Sequence, residues 1–188
     1  ERTLSINTTN ISKFIVPQES GEISRASTIF LGPLLARLGK AVVPLPGGDK
    51  IGLRPLDRHF DGLKALGVKI MIDRGVIRAY SPKLRGAKYK FIKNSHTGTE
   101  TLIMAAVLAK GRTILENAAE EPEIDDLIDL LSKMGANVKR TGKREITVVG
   151  VEVLHGAEYT IPYDRNEIVT YAIAAVITKG DITIEHVT

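Results

Sequence analysis

Residues 54–81, RPLDRHFDGLKALGVKIMIDRGVIRAYS, and residues 121–150, EPEIDDLIDLLSKMGANVKRTGKREITVVG, read as two copies of one pattern. Asp57 matches Asp125, Phe60 matches Ile128, Leu63 matches Leu131 and Leu66 matches Met134. Gly67 and Gly135 stand 68 residues apart. Apolar side chains spaced three and four apart mark one face of an amphipathic helix. A glycine just past its end suits the left-handed conformation that stops a helix. DRG (73–75) and TGK (141–143) then supply the turns of two hairpins.

Working outward, each copy is preceded by a different kind of helix. STIFLGPLLARLG (27–39) and TLIMAAVLAKG (101–111) are apolar on nearly every side, and so is IVTYAIAAVITKG (168–180). Short helices of that kind are buried in a core. Each runs into a strand, AVVPL (41–45), TILEN (113–117) or ITIEH (182–186). The sequence therefore predicts an α/β (α+β) chain of repeated βαβαββ units about 70 residues long. Residues 1–20, with TLSINTTNI and FIVP, read as the last strands of an earlier unit, and the unit that starts near Tyr159 stops after one helix and one strand. The expectation is a piece of a longer chain. The competing reading is that the partial units close into one three-part domain.

Composition bounds the function. The 188 residues suffice for one domain with a sizeable core, or for one domain and part of another. Hydrophobic residues at 43% and charged residues at 26% are those of an ordinary globular protein. No apolar run approaches the roughly 20 residues of a membrane helix. No cysteine is present, which excludes disulfides and cysteine metal sites and fits a reducing cytoplasm. The net charge is +4, but Lys and Arg are spread along the chain and aromatics are only 5%. That argues against a stacking surface for nucleic acid and fits a small phosphorylated substrate or a mildly basic surface.

Polar junctions precede the three apolar helices: GEISRAS (21–27) with Arg25, IKNSHTGTE (92–100) with Asn94, Ser95, His96 and Thr97, and PYDRNE (162–167) with Asp164 and Arg165. Helix N-termini offer free N–H groups and a positive dipole end, which suit phosphate. Ordinary capping by Ser24, Thr97 and Asp164 is the simpler reading of most of these residues. The loop from Pro44 to Pro55, PLPGGDKIGLRP, is longer than a repeat needs. Its glycines permit close ligand approach, and loops of this kind are functional lids or simply flexible.

With that loop in place the chain resembles the UDP-N-acetylglucosamine enolpyruvyl transferases. The resemblance is carried by SRAS and LGPLLARLGKAVVPLPGGDKIGLRPLDRH, by ILENAAEEPEIDDL with the later MGA, and by YDRNE, and it runs from about Gly21 to Thr188. It implies the inside-out α/β barrel of the EPSP synthase superfamily, with buried helices and two domains of three units each. Residues 1–162 would form most of the inner, loop-bearing domain. A hinge would lie near residues 156–163, and residues 163–188 would start the second domain. The implied reaction moves the enolpyruvyl group of phosphoenolpyruvate to the 3-hydroxyl of UDP-N-acetylglucosamine and releases phosphate, the first committed step of peptidoglycan synthesis. It implies no cofactor and no metal, a cytoplasmic enzyme, and no nucleic-acid or membrane partner.

The resemblance also assigns residues. Asp49 stands where most of the family has a cysteine that acts as general acid. An aspartic acid is ordinarily ionised at neutral pH, so this role demands that desolvation or the phosphoenolpyruvate anions raise its pKa. Lacking the thiol, the protein is expected to be insensitive to fosfomycin, an epoxide that alkylates the cysteine. Arg54 matches the arginine that meets phosphate and carboxylate charge, a task suited to a planar permanent cation. Arg25 matches a nucleotide-sugar contact. Arg54, Pro55, Leu56, Asp57 and Arg58 match the nucleotide-binding stretch, with Asp57 facing the uracil edge. His59 follows them, with helix packing or a surface position as its simplest role. Asn94, Ser95, His96 and Thr97 match a second nucleotide-sugar segment, although the family usually has a lysine and SVGAT there; Lys93 is the candidate for that lysine. Glu121, Glu123, Asp164 and Arg165 are expected to be structural or hinge residues. The family's phosphoenolpyruvate-binding Lys-Asn pair and its later aspartate fall outside the sequence, so the 188 residues alone are not expected to turn over. The alternatives are another enolpyruvyl transferase, acting on shikimate phosphate, an RNA-binding or RNA-processing domain with the same repeat, and a non-catalytic interaction module.

Overall fold

The computed structural model describes residues 3–48 and 55–185. Two compact units divide the chain, Glu1–Ala157 and Glu158–Thr188. The first holds α1 (Gln18–Ile23), a 3₁₀ segment (Arg25–Phe30), α2 (Leu31–Leu38), β1 (Lys40–Pro44), α3 (Asp57–Ala65), β2 (Lys69–Asp73) and β3 (Val76–Tyr80). It continues with β4 (Lys88–Lys90), α4 (His96–Ala106), β5 (Arg112–Glu116), α5 (Pro122–Lys133), β6 (Asn137–Gly142) and β7 (Glu145–Val149). The second holds α6 (Arg165–Thr178).

The repeat read from the sequence is the architecture. One sheet has the order β1-β3-β2 and the other β4-β5-β7-β6, so β5-β7-β6 reproduces β1-β3-β2. β4 runs parallel to β5. Its counterpart in the first sheet is the stretch around Ile15, which bridges Val42 in parallel. Val16 N donates to the Val42 carbonyl at 2.9 Å and Val42 N to the Phe14 carbonyl at 2.8 Å. FIVP therefore opens the first repeat, and the expectation that it closes an earlier one is corrected by these two bonds to β1.

Both amphipathic helices stop at the paired glycines. Gly67 has φ +90° and Gly135 φ +92°, a region that side-chain-bearing residues avoid. The hairpins then diverge. Arg74 and Gly75 both have positive φ, as a tight two-residue hairpin turn demands. The second turn lies at Lys143–Arg144, and not at TGK as the sequence suggested, because Gly142 still pairs with Glu145. The register shifts between Arg140 and Gly142. That bulge takes up one extra residue, which is why β7 ends 69 residues after β3 whereas β6 starts 68 after β2.

At the centre of the first unit lies α4, with Leu102, Ile103, Ala105 and Ala106 fully buried. α2 and α3 both pack on it. The α2 crossing is close: a Cβ added to Gly32 would lie 2.5 Å from the Thr101 carbonyl oxygen. Leu63 and Leu66 bury the inner face of α3, worth roughly 1.5–3 kcal/mol each, and so fix the helix whose first turn carries much of the candidate site. Apolar all-round sequence did not give burial everywhere. No residue of α6 is buried. Among the described residues its own unit has no second helix and no sheet, and residues 182–185 of the expected strand ITIEH are not a strand, His186 lying outside the described residues.

Candidate active site

The N-termini of the apolar helices are capped by side chains. Ser24 Oγ accepts from Ala26 N at 3.1 Å, Ser95 Oγ from Gly98 N at 3.2 Å and Asp164 Oδ1 from Asn166 N at 2.8 Å. Ser95, not Thr97, is the cap of α4, because Thr97 already lies inside its first turn. The Thr97 hydroxyl is thereby left for another task.

Around Pro44–Gly48 the chain is steered back to the start of the 3₁₀ segment. Leu45 N donates to the Gly75 carbonyl at 2.8 Å and Gly47 N to the Gly21 carbonyl at 2.9 Å. A Cβ at Gly21 would collide with Pro44 Cγ at 2.1 Å. Gly48 comes close to the backbone of Arg25, with 3.5 Å between an added Cβ and Arg25 N. The described chain therefore reaches Gly48 beside Arg25 and resumes at Pro55. Asp49 and Arg54, the expected proton donor and anion contact, lie outside the described residues.

On the return side, Pro55 and Asp57 are exposed and Arg58 is half-exposed. Leu56 is turned into the core, so any ligand contact at this position comes from its backbone. His59 is 2% exposed and its Nε2 lies 3.0 Å from Thr97 Oγ1. This bond ties the first turn of α3 to the first turn of α4. Tyr89 on β4 donates to the Arg58 carbonyl at 3.4 Å and packs edge-on against Phe91, which is wholly buried. Burial, followed by the Arg25 charge, pushes the His59 pKa down to about 4. Asp57, Arg58 and Glu100 also act on this ring. Arg25, the 55–58 stretch and the start of α4 thus act on His59, which takes the helix-packing role and not the surface position that the sequence also allowed.

Asn94 is exposed, and Ser95, His96 and Thr97 are half-exposed. His96 Nε2 lies 3.3 Å from Glu100 Oε1, and that hydrogen bond raises its pKa. Behind α4, the ENAAEE segment is structural. Thr99 Oγ1 accepts from Ala119 N at 3.1 Å, Asn117 Nδ2 donates to the Phe91 carbonyl at 2.9 Å, and Glu120 pairs with Arg144 at 2.6 Å. Thr99 and Asn117 were not singled out from the sequence; a threonine in an otherwise apolar helix was the available signal. Elsewhere, a groove of about 500 Å³ is lined by Arg37, Lys40, Ser81 and Lys83 among others, none of them a predicted site residue. Arg37 donates to the Thr9 carbonyl and Lys40 lies over the Phe14 ring. Among the described residues no group of three or more His, Asp or Glu could hold a metal ion, and no helix is long and apolar enough to cross a membrane.

Two βαβαββ repeats, a Gly-rich loop and paired helix N-termini are the build of an enolpyruvyl-transferase-like protein. The sequence pattern of EPSP synthase (3-phosphoshikimate 1-carboxyvinyltransferase) matches residues 1–188, and the chain belongs to that family. It is 51% identical over 162 residues to a UDP-N-acetylglucosamine 1-carboxyvinyltransferase of Acidobacterium capsulatum, a match covering 86% of this chain and 37% of that protein. Among solved structures it resembles the enolpyruvyl transferase NikO from Streptomyces tendae, with a TM-score of 0.65 and 20% identity over 79% of this chain and 36% of that one. It also resembles an EPSP synthase from Acinetobacter baumannii, with a TM-score of 0.62 and 22% identity over 82% and 35% of the two chains. At such identities the structural likeness speaks for the fold. The chain spans little more than a third of the length of these relatives.

Proposed function

We propose that this chain belongs to a cytoplasmic enzyme that transfers the enolpyruvyl group of phosphoenolpyruvate to the 3-hydroxyl of UDP-N-acetylglucosamine, releasing phosphate, for peptidoglycan synthesis. The observation that carries the reading is the meeting of Arg25, Asp57, Arg58 and Thr97 around His59 at two joined helix N-termini. That arrangement offers N–H groups, positive dipole ends and guanidinium charge to a nucleoside diphosphate. His96 and Thr97 border it from α4, with Asn94 and the cap Ser95 just before that helix and Pro55 just before α3. The identity to the Acidobacterium protein favours the UDP-N-acetylglucosamine reaction over the shikimate one.

In this reading Asp49 protonates the methylene carbon of phosphoenolpyruvate, which makes the neighbouring carbon electrophilic toward the sugar hydroxyl. Arg54 balances the phosphate and carboxylate charge. Both lie in sequence between Gly48, which stands beside Arg25, and Pro55, just before α3. The hinge is placed near residues 156–163, and the division of the chain at Ala157 and Glu158 supports it.

The test is phosphate release from phosphoenolpyruvate that depends on UDP-N-acetylglucosamine, measured on the full-length product of the reading frame containing this chain. Asp49→Asn is expected to lower turnover by about 10²-fold or more. The 188-residue chain is expected to bind the nucleotide sugar without releasing phosphate. Undiminished turnover by Asp49→Asn would remove the proton-donor role, and a full-length protein that ignores UDP-N-acetylglucosamine would remove the function.

A further inference from the structure

We propose that His59 is a positioning residue: its Nε2–H holds the Thr97 hydroxyl oxygen, which leaves the Thr97 hydroxyl proton to be donated to a phosphate oxygen of the bound nucleotide sugar. The inference rests on reading Asn94–Thr97 as part of a nucleotide-sugar site.

His59 is 2% exposed, with Nε2 3.0 Å from Thr97 Oγ1, and its Nδ1 is buried with no hydrogen-bond partner among the described residues. A neutral imidazole carries one proton, on one nitrogen or the other. A proton on Nδ1 would be a buried N–H donor with nothing to bond, which is rarer and costlier than a vacant lone pair. The proton therefore sits on Nε2, and Nε2 is the donor to Thr97. Burial keeps the ring uncharged at neutral pH, so it supplies direction and not charge.

The consequence lies at Thr97. A hydroxyl that accepts from His59 turns its own proton elsewhere. Thr97 is half-exposed, and its hydroxyl has no second partner among the described residues. Its backbone is fixed, because Thr101 Oγ1 donates to the Thr97 carbonyl at 2.8 Å. The residue stands in the first turn of α4, where the helix end favours an anion. Arg25 and Arg58 are near enough to act on the His59 ring, as are Asp57 and Glu100 with the opposite sign. A diphosphate oxygen suits the helix end and can be met by the two guanidinium groups. His59 follows the 55–58 stretch directly, so one bond sets a donor on α4 from a helix anchored by Leu63 and Leu66.

The test begins with the imidazole tautomer, read from long-range ¹⁵N–¹H correlations of the chain. An Nε2–H tautomer is expected, and an Nδ1–H tautomer at His59 overturns the proposal with no ligand present. Next, UDP-N-acetylglucosamine and uridine are titrated into the labelled chain while amide shifts are followed. Thr97→Val, which keeps the shape and removes the hydroxyl, should weaken UDP-N-acetylglucosamine about tenfold and leave uridine unchanged. His59→Leu should cost a similar factor, and the double variant should be no worse than either single one. His59→Gln, which can place an N–H near the Nε2 position, and Thr97→Ser should restore most of the affinity. Equal weakening of uridine, additive losses, or a folded Thr97→Val variant that binds as the parent does would each overturn the inference alone. The same titrations are run on the full-length protein, and a full-length protein that binds no UDP-N-acetylglucosamine overturns the proposed function and this inference with it.

Discussion

Burial and the Arg25 charge hold the His59 ring far below the ordinary histidine range, whereas Glu100 holds His96 above it. The two make opposite demands on stability. A depressed histidine leaves the folded state without the proton that the unfolded chain takes up below about pH 6.5. The stability linked to His59 is thus fully present above that pH and is lost as the pH falls toward about 4. At pH 5 the loss amounts to about 2 kcal/mol. Urea unfolding at pH 8 and pH 5 should show it in the parent chain, and His59→Gln should flatten the difference. An unchanged slope in that variant would assign the acid sensitivity to other groups. His96 works the other way, its contribution being present below about pH 6.5 and lost as the pH rises through its raised folded value. Asp49 gives a second prediction at this scale. A carboxylate is a much poorer nucleophile toward an epoxide than a thiolate, so the full-length protein should keep its activity after prolonged exposure to fosfomycin, while Asp49→Cys should be inactivated with time. A covalent adduct on Asp49, seen by mass spectrometry of the parent, would refute this. Arg25 and the 55–58 stretch were singled out through the family resemblance, as was Asp49, which lies outside the described residues. For His59 the sequence left helix packing and a surface position both open, because its burial depends on α4 lying across α3, a contact between residues 38 apart.

α4 is the element on which the first unit is assembled, and its neighbours are shaped to it. At Gly32 the obstacle to a side chain is the carbonyl oxygen of Thr101, 2.5 Å from an added Cβ. Backbone cannot rotate away as a side chain can. Gly32→Ala should therefore destabilise the chain by about 1–3 kcal/mol through overpacking, despite the helix propensity that alanine adds. A rise in the urea midpoint would show that α2 can slide along α4 without cost. On the opposite side, Thr99 is fully buried and accepts from Ala119 N. Thr99→Val keeps the volume but leaves that N–H without a partner, for a loss of about 1–3 kcal/mol, and Thr99→Ser should recover most of it. Fluorescence or circular dichroism during denaturation measures both. The sequence showed these helices through their period and their glycines, since helix stops are local signals. It misplaced the second hairpin turn because the bulge before Gly142 depends on pairing with β7, which no tripeptide encodes.

At the scale of the whole molecule, the repeat was the most legible feature, because 68-residue spacing at Gly67 and Gly135 constrains many positions at once. Burial was the least legible where it depends on elements that the local pattern does not contain. α2, α4 and α6 look alike as apolar helices, yet α4 is the centre of a core and α6 has no buried residue. Val169, Tyr171, Ile173, Val176 and Ile177 are all more than half exposed. A 14-residue helix without tertiary packing is marginal in water. The amides of α6 should accordingly exchange with solvent through local opening, while those of α4, β5 and β7 exchange only through global unfolding. Hydrogen exchange read by mass spectrometry on the 188-residue chain should show the 165–178 peptide labelled while the 99–106 and 112–116 peptides stay protected. Added urea should narrow that gap, since only the protected peptides depend on exposing the large core surface. Equal protection of the α6 peptide would mean that its apolar faces are covered in solution, and the unit from Glu158 onward would then have to be stable through packing of its own or through association.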